Sequence, residues 1–246
     1  MVVVVDWQKP SKQDLERVYD MTVVSIHQPC FFPYLGVFYK ILKSDRFVFL
    51  DDSQYTKSYC FEWNRIKTPN GECRFKIPIS YRFGDGLNEV LLQNTSWKKK
   101  MLTQLYFNYK RSLFFDEVYS DVENMLEKDY FDLADINEAS MILVLKKFGY
   151  GLNKILYSSC INTNSKKEQK VIDICKILKA DEYLSGKGAM NYQKEEHFLQ
   201  NGIKLTYTDF KAKPYNQNFG EFRPNMSVLD FLFNEGYNKE KILEMS

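Results

Sequence analysis

His27 is the residue best placed to do chemistry. It closes an apolar run, Thr22-Val23-Val24-Ser25-Ile26, and opens a proline-bounded loop, Gln28-Pro29 to Pro33, ahead of a helical pattern. In an open α/β sheet, ligands bind beyond the carboxyl ends of the strands, where such a histidine would stand. The start of the next helix offers free N–H groups and a positive dipole end to an anion. An imidazole there can donate to a phosphate or act as general acid or base near neutral pH. The plainer alternative is a ring that orders its own loop.

Asp51-Asp52 ends a second apolar run, Phe47-Val48-Phe49-Leu50, so a carboxylate is expected to face the same crevice. It could bind a sugar hydroxyl, hold Mg²⁺ against substrate phosphates, or take a proton from an amine. A capping role for one of the two is equally compatible. The pair lacks the Asp-x-Asp spacing of many nucleotide-sugar glycosyltransferases. Asn64, Arg65 and Lys67 form a basic group beside a turn, suited to clamping a phosphate or carboxylate, or else a solvated hairpin face. Ser185-Gly186-Lys187-Gly188 follows another strand, and its glycines would let a backbone approach a ligand closely. It lacks Walker A spacing. Asp51 and Asp52 are thus catalytic candidates with His27, and no metal site is expected.

The elements that must position these groups read as α/β. Tyr34, Phe38, Ile41 and Leu42 recur at helical spacing between the two apolar runs, giving a βαβ start and a parallel sheet. Cys73, Phe75, Ile77 and Ile79 alternate after Pro69-Asn70-Gly71, which predicts a hairpin with Trp63 to Lys67 and a further short strand at Leu87 to Leu92. Helices are expected over Trp97 to Tyr109, over Asp132 to Phe148 before Gly149, and over Lys166 to Leu178. A strand at 182–184, a helix through Phe198 and a strand Ile203 to Tyr207 make a second βαβ unit. The expected fold is therefore a mostly parallel, Rossmann-like sheet with an additional β-hairpin and a helical insertion. Residues 1–20 read as an N-terminal extension, Met21 as a possible true start, and 21–246 as a single domain.

Composition narrows the class. Charged residues make up 27% and the net charge is +2, so no global field argues for nucleic acid, and phosphate binding must come from local groups. Five widely spaced cysteines with no CxxC pair suit reduced thiols. The apolar runs are too short to span a bilayer, and the expected location is cytoplasmic. Seventeen tyrosines and nineteen phenylalanines suit sites where rings stack on sugars or bases, as well as a Tyr-rich core.

Three segments together resemble the WbqC-like family. They are Ile26-His27-Gln28-Pro29 with Pro33-Tyr34-Leu35-Gly36, Lys40-Ile41 and Asp45; then Phe49 to Tyr55 with Asn64 to Gly71; then Tyr183-Leu184-Ser185-Gly186 with Tyr192 and Ser227 to Asp230. The order is kept from about Met21 to Gly236. One departure is Met101 after Lys98-Lys99-Lys100, where the family usually has a histidine.

The resemblance implies a bacterial gene of O-antigen and other surface-polysaccharide loci. The expected activity is a transferase on a nucleotide-linked amino sugar, with an acyl or aminoacyl donor and no cofactor specified. Gln28, Tyr34, Tyr55, Asn64, Arg65, Lys67, Ser185, Gly186 and Tyr192 are the expected substrate contacts. A weaker resemblance, a histidine loop after the first strand, is to nucleotidylyltransferase-like enzymes, although their second histidine is missing here. A noncatalytic accessory protein binding a polysaccharide precursor or enzyme is the other alternative.

Overall fold

The computed structural model describes residues 23–57 and 59–246. The expected extension over 1–20, Met21 and Thr22 lie outside them. β1 (Val23–His27), α1 (Leu35–Leu42) and β2 (Arg46–Phe49) form the first βαβ unit. The hairpin is β3 (Trp63–Thr68) and β4 (Gly71–Lys76), paired in register from Trp63 with Lys76 to Thr68 with Gly71. Gly71 has φ +106°, a conformation the turn demands and a side chain would resist. Pro78 follows, and the chain resumes as a separate short pair, β5 (Ile79–Ser80) with β6 (Leu91–Leu92). The expected strand from Leu87 is therefore shorter, because Leu87–Glu89 coils into a 3-10 turn.

Three helices follow: α2 (Ser96–Tyr109), α3 (Phe115–Leu126) and α4 (Leu133–Lys147). The Asp132 side chain caps α4 by accepting from Asp135 N, which fixes its start. The second half of the chain adds β7 (Ile155–Tyr157), α5 (Lys167–Ile177), β8 (Glu182–Ser185), α6 (Glu195–Leu199) and β9 (Lys204–Tyr207). Two helices close it, α7 (Val228–Glu235) and α8 (Lys239–Leu243).

The five-stranded sheet runs β7-β2-β1-β8-β9, with all neighbours parallel. This is the expected Rossmann-like α/β arrangement, with the hairpin and α2–α4 inserted between β2 and β7. Alternation along the strands builds two cores. Val24, Ile26, Val48, Leu156 and Tyr183 pack with α5 and α6, whereas Phe47, Phe49, Ile155 and Tyr157 pack with α1, α4 and the inserted segments. No described helix is long and apolar enough to cross a membrane.

Candidate functional site

The strand order reverses between β1 and β8. β2 and β7 lie on one side of β1 and β8 and β9 on the other, so ligand space is expected at the carboxyl ends of β1 and β8. The pairing itself opens there. β1 and β2 pair over four residues, to His27 with Phe49, but β1 and β8 pair only at Val23 with Glu182 and Val24 with Tyr183. Beyond those two rungs the strands part. His27 O still accepts from Leu50 N at 2.9 Å on the β2 side. Ile26 carries its carbonyl to the opposite side, where the ladder has ended.

Lys40, on α1, fills this gap. Its ammonium donates to Ile26 O at 2.7 Å and lies 3.3 Å from His27 Nδ1. The lysine is 3% exposed, and burial pushes its pKa down to about 7. His27 is held well below its ordinary value, first by burial and then by the Lys40 charge. Its Nε2 is buried and has no hydrogen-bond partner among the described residues. An ammonium can only donate, so Nδ1 must accept, and the neutral ring then carries its proton on Nε2. This is a buried donor poised for an acceptor that the described residues do not supply.

The loop from His27 to Pro33 is fixed by buried polar side chains. Phe32 sits at φ +42°, a left-handed conformation costly for an aromatic residue. Its carbonyl accepts from Asn64 Nδ2 at 2.6 Å and Ser227 Oγ at 2.8 Å, and its N–H donates to Ser140 Oγ at 3.0 Å. Asn137 Nδ2 donates to Pro29 O and Phe61 O, both at 3.0 Å. Asn64 therefore stands beside the His27 loop, as a clamp on its backbone. Gln28 bridges to the β2 loop through Ser53 Oγ at 3.0 Å.

Half-exposed rings gather at this loop. Tyr34 and Tyr59 are each 39% exposed and Tyr192 more so. Tyr59 has its hydroxyl pushed up by burial first, then by Cys30, Tyr34, Cys60 and Tyr192, which are close enough for their charges to act on it. Burial likewise raises the Cys30 thiol far out of the reactive range. Ser185, at the end of β8, donates to Gln193 Oε1 at 2.8 Å. Gly186 has φ −84°, neither it nor Gly188 is left-handed, and a Cβ at either would meet nothing within 4 Å. Neither the turn nor internal packing requires glycine at these two positions.

The remaining candidates bond largely within the protein. Buried Asp51 accepts from Ser159 N at 3.0 Å and Ser159 Oγ at 2.5 Å, tying β2 to the turn after β7. Asp52 is more open; it accepts from the Ser158 hydroxyl and pairs with Lys170 of α5 at 2.5 Å. Arg65 pairs with Glu72 across the hairpin at 2.9 Å. Lys67, 2% exposed, donates to Gly220 O at 3.1 Å and Glu221 O at 2.5 Å. Tyr55 lies behind the Tyr59 loop, its ring 6.0 Å from that of Phe61. Among the described residues no three His, Cys, Asp or Glu side chains gather as a metal ion would need.

The structure thus brings His27, Gln28, Tyr34, Asn64, Ser185, Gly186 and Tyr192 to the β1–β8 end. It directs Asp51, Lys67 and the Arg65 guanidinium to internal bonds. Lys40, Tyr59, Asn137, Ser140 and Ser227 complete the site without having been singled out as contacts. Lys40 carried one signal in the sequence, a cation set within the apolar stretch Leu35 to Leu42.

The profile described as WbqC-like protein family matches residues 28–242. The chain is also 31% identical over 220 residues to the uncharacterized protein Rv1507c of Mycobacterium tuberculosis, covering 88% of this chain and 95% of that protein. No solved structure matches.

Proposed function

Because the chain belongs to the WbqC-like protein family, we propose that it is a transferase of bacterial surface-polysaccharide (O-antigen and lipopolysaccharide) biosynthesis. It acts in the cytoplasm on a nucleotide-linked amino sugar bound where β1 and β8 part. The observation that carries the reading is the His27 Nε2, buried at the switch point and without a hydrogen-bond partner among the described residues. A phosphate or carbonyl oxygen in the crevice would accept from it. Gly186 and Gly188 leave room for a diphosphate to approach the backbone, and Tyr34, Tyr59 and Tyr192 offer faces to a base or sugar. The reaction is acyl or aminoacyl transfer to the sugar amine. The amine nitrogen attacks the donor carbonyl, its proton passes to a base such as Asp52, and the donor's carrier leaves.

The test uses a panel of nucleotide-linked amino sugars with acyl-CoA or aminoacyl donors, read by thermal shift and by mass of the product. Wild-type protein is expected to be stabilised by at least one nucleotide sugar and to acylate it. The His27→Ala variant should keep its fold and lose turnover. A folded variant with full turnover removes His27 from the chemistry, and a panel giving neither shift nor product overturns the transferase.

A second reading rests on the internal bonds of Asp51, Asn64 and Lys67, which turn these polar groups away from catalysis. In that case the crevice binds a polysaccharide precursor without transforming it. Thermal stabilisation by a nucleotide sugar with no product from any donor selects this reading.

A further inference from the structure

Beside Tyr55 and Glu62 the surface holds a hollow of about 410 Å³ whose lining does not include His27. Its lining includes Tyr55, Lys57, Glu62, Lys76, Tyr81 and Gln93. The volume lies within the range of small-molecule sites. Glu62 is the unusual member. Its side chain is 3% exposed, Lys76 Nζ stands 3.6 Å from Oε1, and Oε2 is buried with no hydrogen-bond partner among the described residues. A buried acceptor oxygen left unmatched is costly, and a donor that reached it from the hollow would relieve that cost. The Tyr55 hydroxyl lies near this carboxyl group, and burial followed by the Glu62 charge raises its pKa. The acceptor is thus held in place by its neighbours.

The surroundings specify what would fill the hollow. Tyr81 is 42% exposed, and its ring lies 4.6 Å from that of Tyr55. This provides an apolar wall suited to the C–H face of a sugar ring. Lys57 and Lys76 are exposed cations at the mouth. Lys76 already offsets part of the charge of Glu62, which favours a neutral hydroxyl over an ammonium as the donor to Oε2. We infer that this hollow is a carbohydrate subsite for a sugar bearing an anionic group: a ring hydroxyl donates to Glu62 Oε2, the ring stacks on Tyr81, and a phosphate or carboxylate faces Lys57 and Lys76. This assignment stands on residues separate from His27 and does not depend on the transferase reading.

The experiment is titration calorimetry with glucose 1-phosphate, glucuronic acid, glucose and serine as probes. Its variants are Glu62→Gln, the double variant Lys57→Gln/Lys76→Gln, and His27→Ala. Wild-type protein is expected to bind at least one acidic sugar more tightly than glucose. The phosphate and carboxylate arms identify which anion the lysines prefer. Glu62→Gln should weaken sugar binding about tenfold or more. The double lysine variant, altered only at exposed side chains, should remove the preference for the acidic sugars even if Glu62→Gln folds poorly. His27→Ala should bind the probes as wild type does. The proposal is overturned if serine binds better than the sugars, if no sugar binds, if the double variant retains the preference, or if His27→Ala abolishes binding.

Discussion

The Nζ of Lys40 stands 3.3 Å from Nδ1 of His27, and its other bond is to the carbonyl of Ile26, freed where β1 leaves β8. The lysine therefore sets the chemistry of the histidine. Below the Lys40 pKa of about 7 the ammonium donates, Nδ1 accepts, and the neutral imidazole presents an N–H at Nε2. Above that pH the neutral amine can accept from Nδ1–H, which would give Nε2 a lone pair. Two-bond ¹⁵N–¹H spectra at pH 6 should show the Nε2–H tautomer for His27. A Nδ1–H tautomer at that pH refutes the arrangement.

The same burial predicts a pH-dependent stability. The folded pKa of Lys40, about 7, lies below the ordinary 10.5, so between these values the unfolded chain binds the proton that the folded one has released. Stability contributed by this group rises with pH from about 7 and is lost as pH falls through it. Replacing Lys40 with Met removes the titrating cation together with its bond to Ile26 O, so any gain in stability over wild type should be greatest at pH 6. The gain should shrink toward pH 9. Urea midpoints compared between the two proteins cancel the buried thiols and tyrosines common to both. A gain independent of pH would show that Lys40 is not the titrating group.

Sequence periodicity reached most of this architecture, because β1, α1, β2, the hairpin and the β8–α6–β9 unit each carry a clear apolar pattern. β7 was beyond it: Ile155-Leu156-Tyr157 is too short for alternation to declare itself, yet it forms the sheet edge and places Ser158 and Ser159 under the acidic pair. The site was legible in part for a related reason. His27, Ser185 and Gly186 could be placed because strand ends are local features. Whether Lys67 or Asn64 faces a ligand or the protein's own backbone depends on loops distant in sequence, Gly220–Glu221 and Phe31–Phe32. Lys40 was obscured for the opposite reason, since a lysine in an amphipathic helix is ordinarily assigned to solvent.

Asp51 and Asp52 are adjacent, but they should respond differently to mutation. Asp51 is fully buried and matched to Ser159, so Asp51→Ala leaves buried donors unpaired and should cost about 2–4 kcal/mol. Asp52 is part-exposed, and Asp52→Asn should lower the denaturation midpoint only slightly while sharply reducing transfer. An Asp52→Asn protein with undiminished turnover would exclude that carboxylate as the base and leave it the ion-pair partner of Lys170.

Asn64 should prove to be a positioning residue. Its amide donates to the carbonyls of Phe31 and Phe32, at 3.2 and 2.6 Å, where the backbone is left-handed. Asn64→Ala should cost about 1–3 kcal/mol and speed amide exchange across residues 28–33. Exchange rates unchanged in that loop would mean that Ser140, Asn137 and Ser227 hold it without Asn64.

Gly36 offers a test in which local and tertiary preferences conflict. It lies in the first turn of α1, where alanine is normally favoured by roughly 0.5–1 kcal/mol. Its φ is not left-handed, so the requirement is one of space. A Cβ would fall 2.4 Å from Tyr34 Cε2 and 2.9 Å from Phe210 Cδ1, because both rings lie against the helix backbone. These rings meet at 6.0 Å between centroids, and Phe210 also packs on Tyr39. Gly36→Ala must therefore displace Tyr34, Phe210 or both. It should destabilise the fold by about 1–3 kcal/mol despite the gain in helix propensity. If Tyr34 stacks on the nucleotide, the substitution should also weaken binding of the nucleotide sugar while leaving binding at the Glu62 hollow unchanged. An alanine variant as stable as wild type would show that the rings move aside freely, and unchanged nucleotide-sugar affinity would remove Tyr34 from the binding surface.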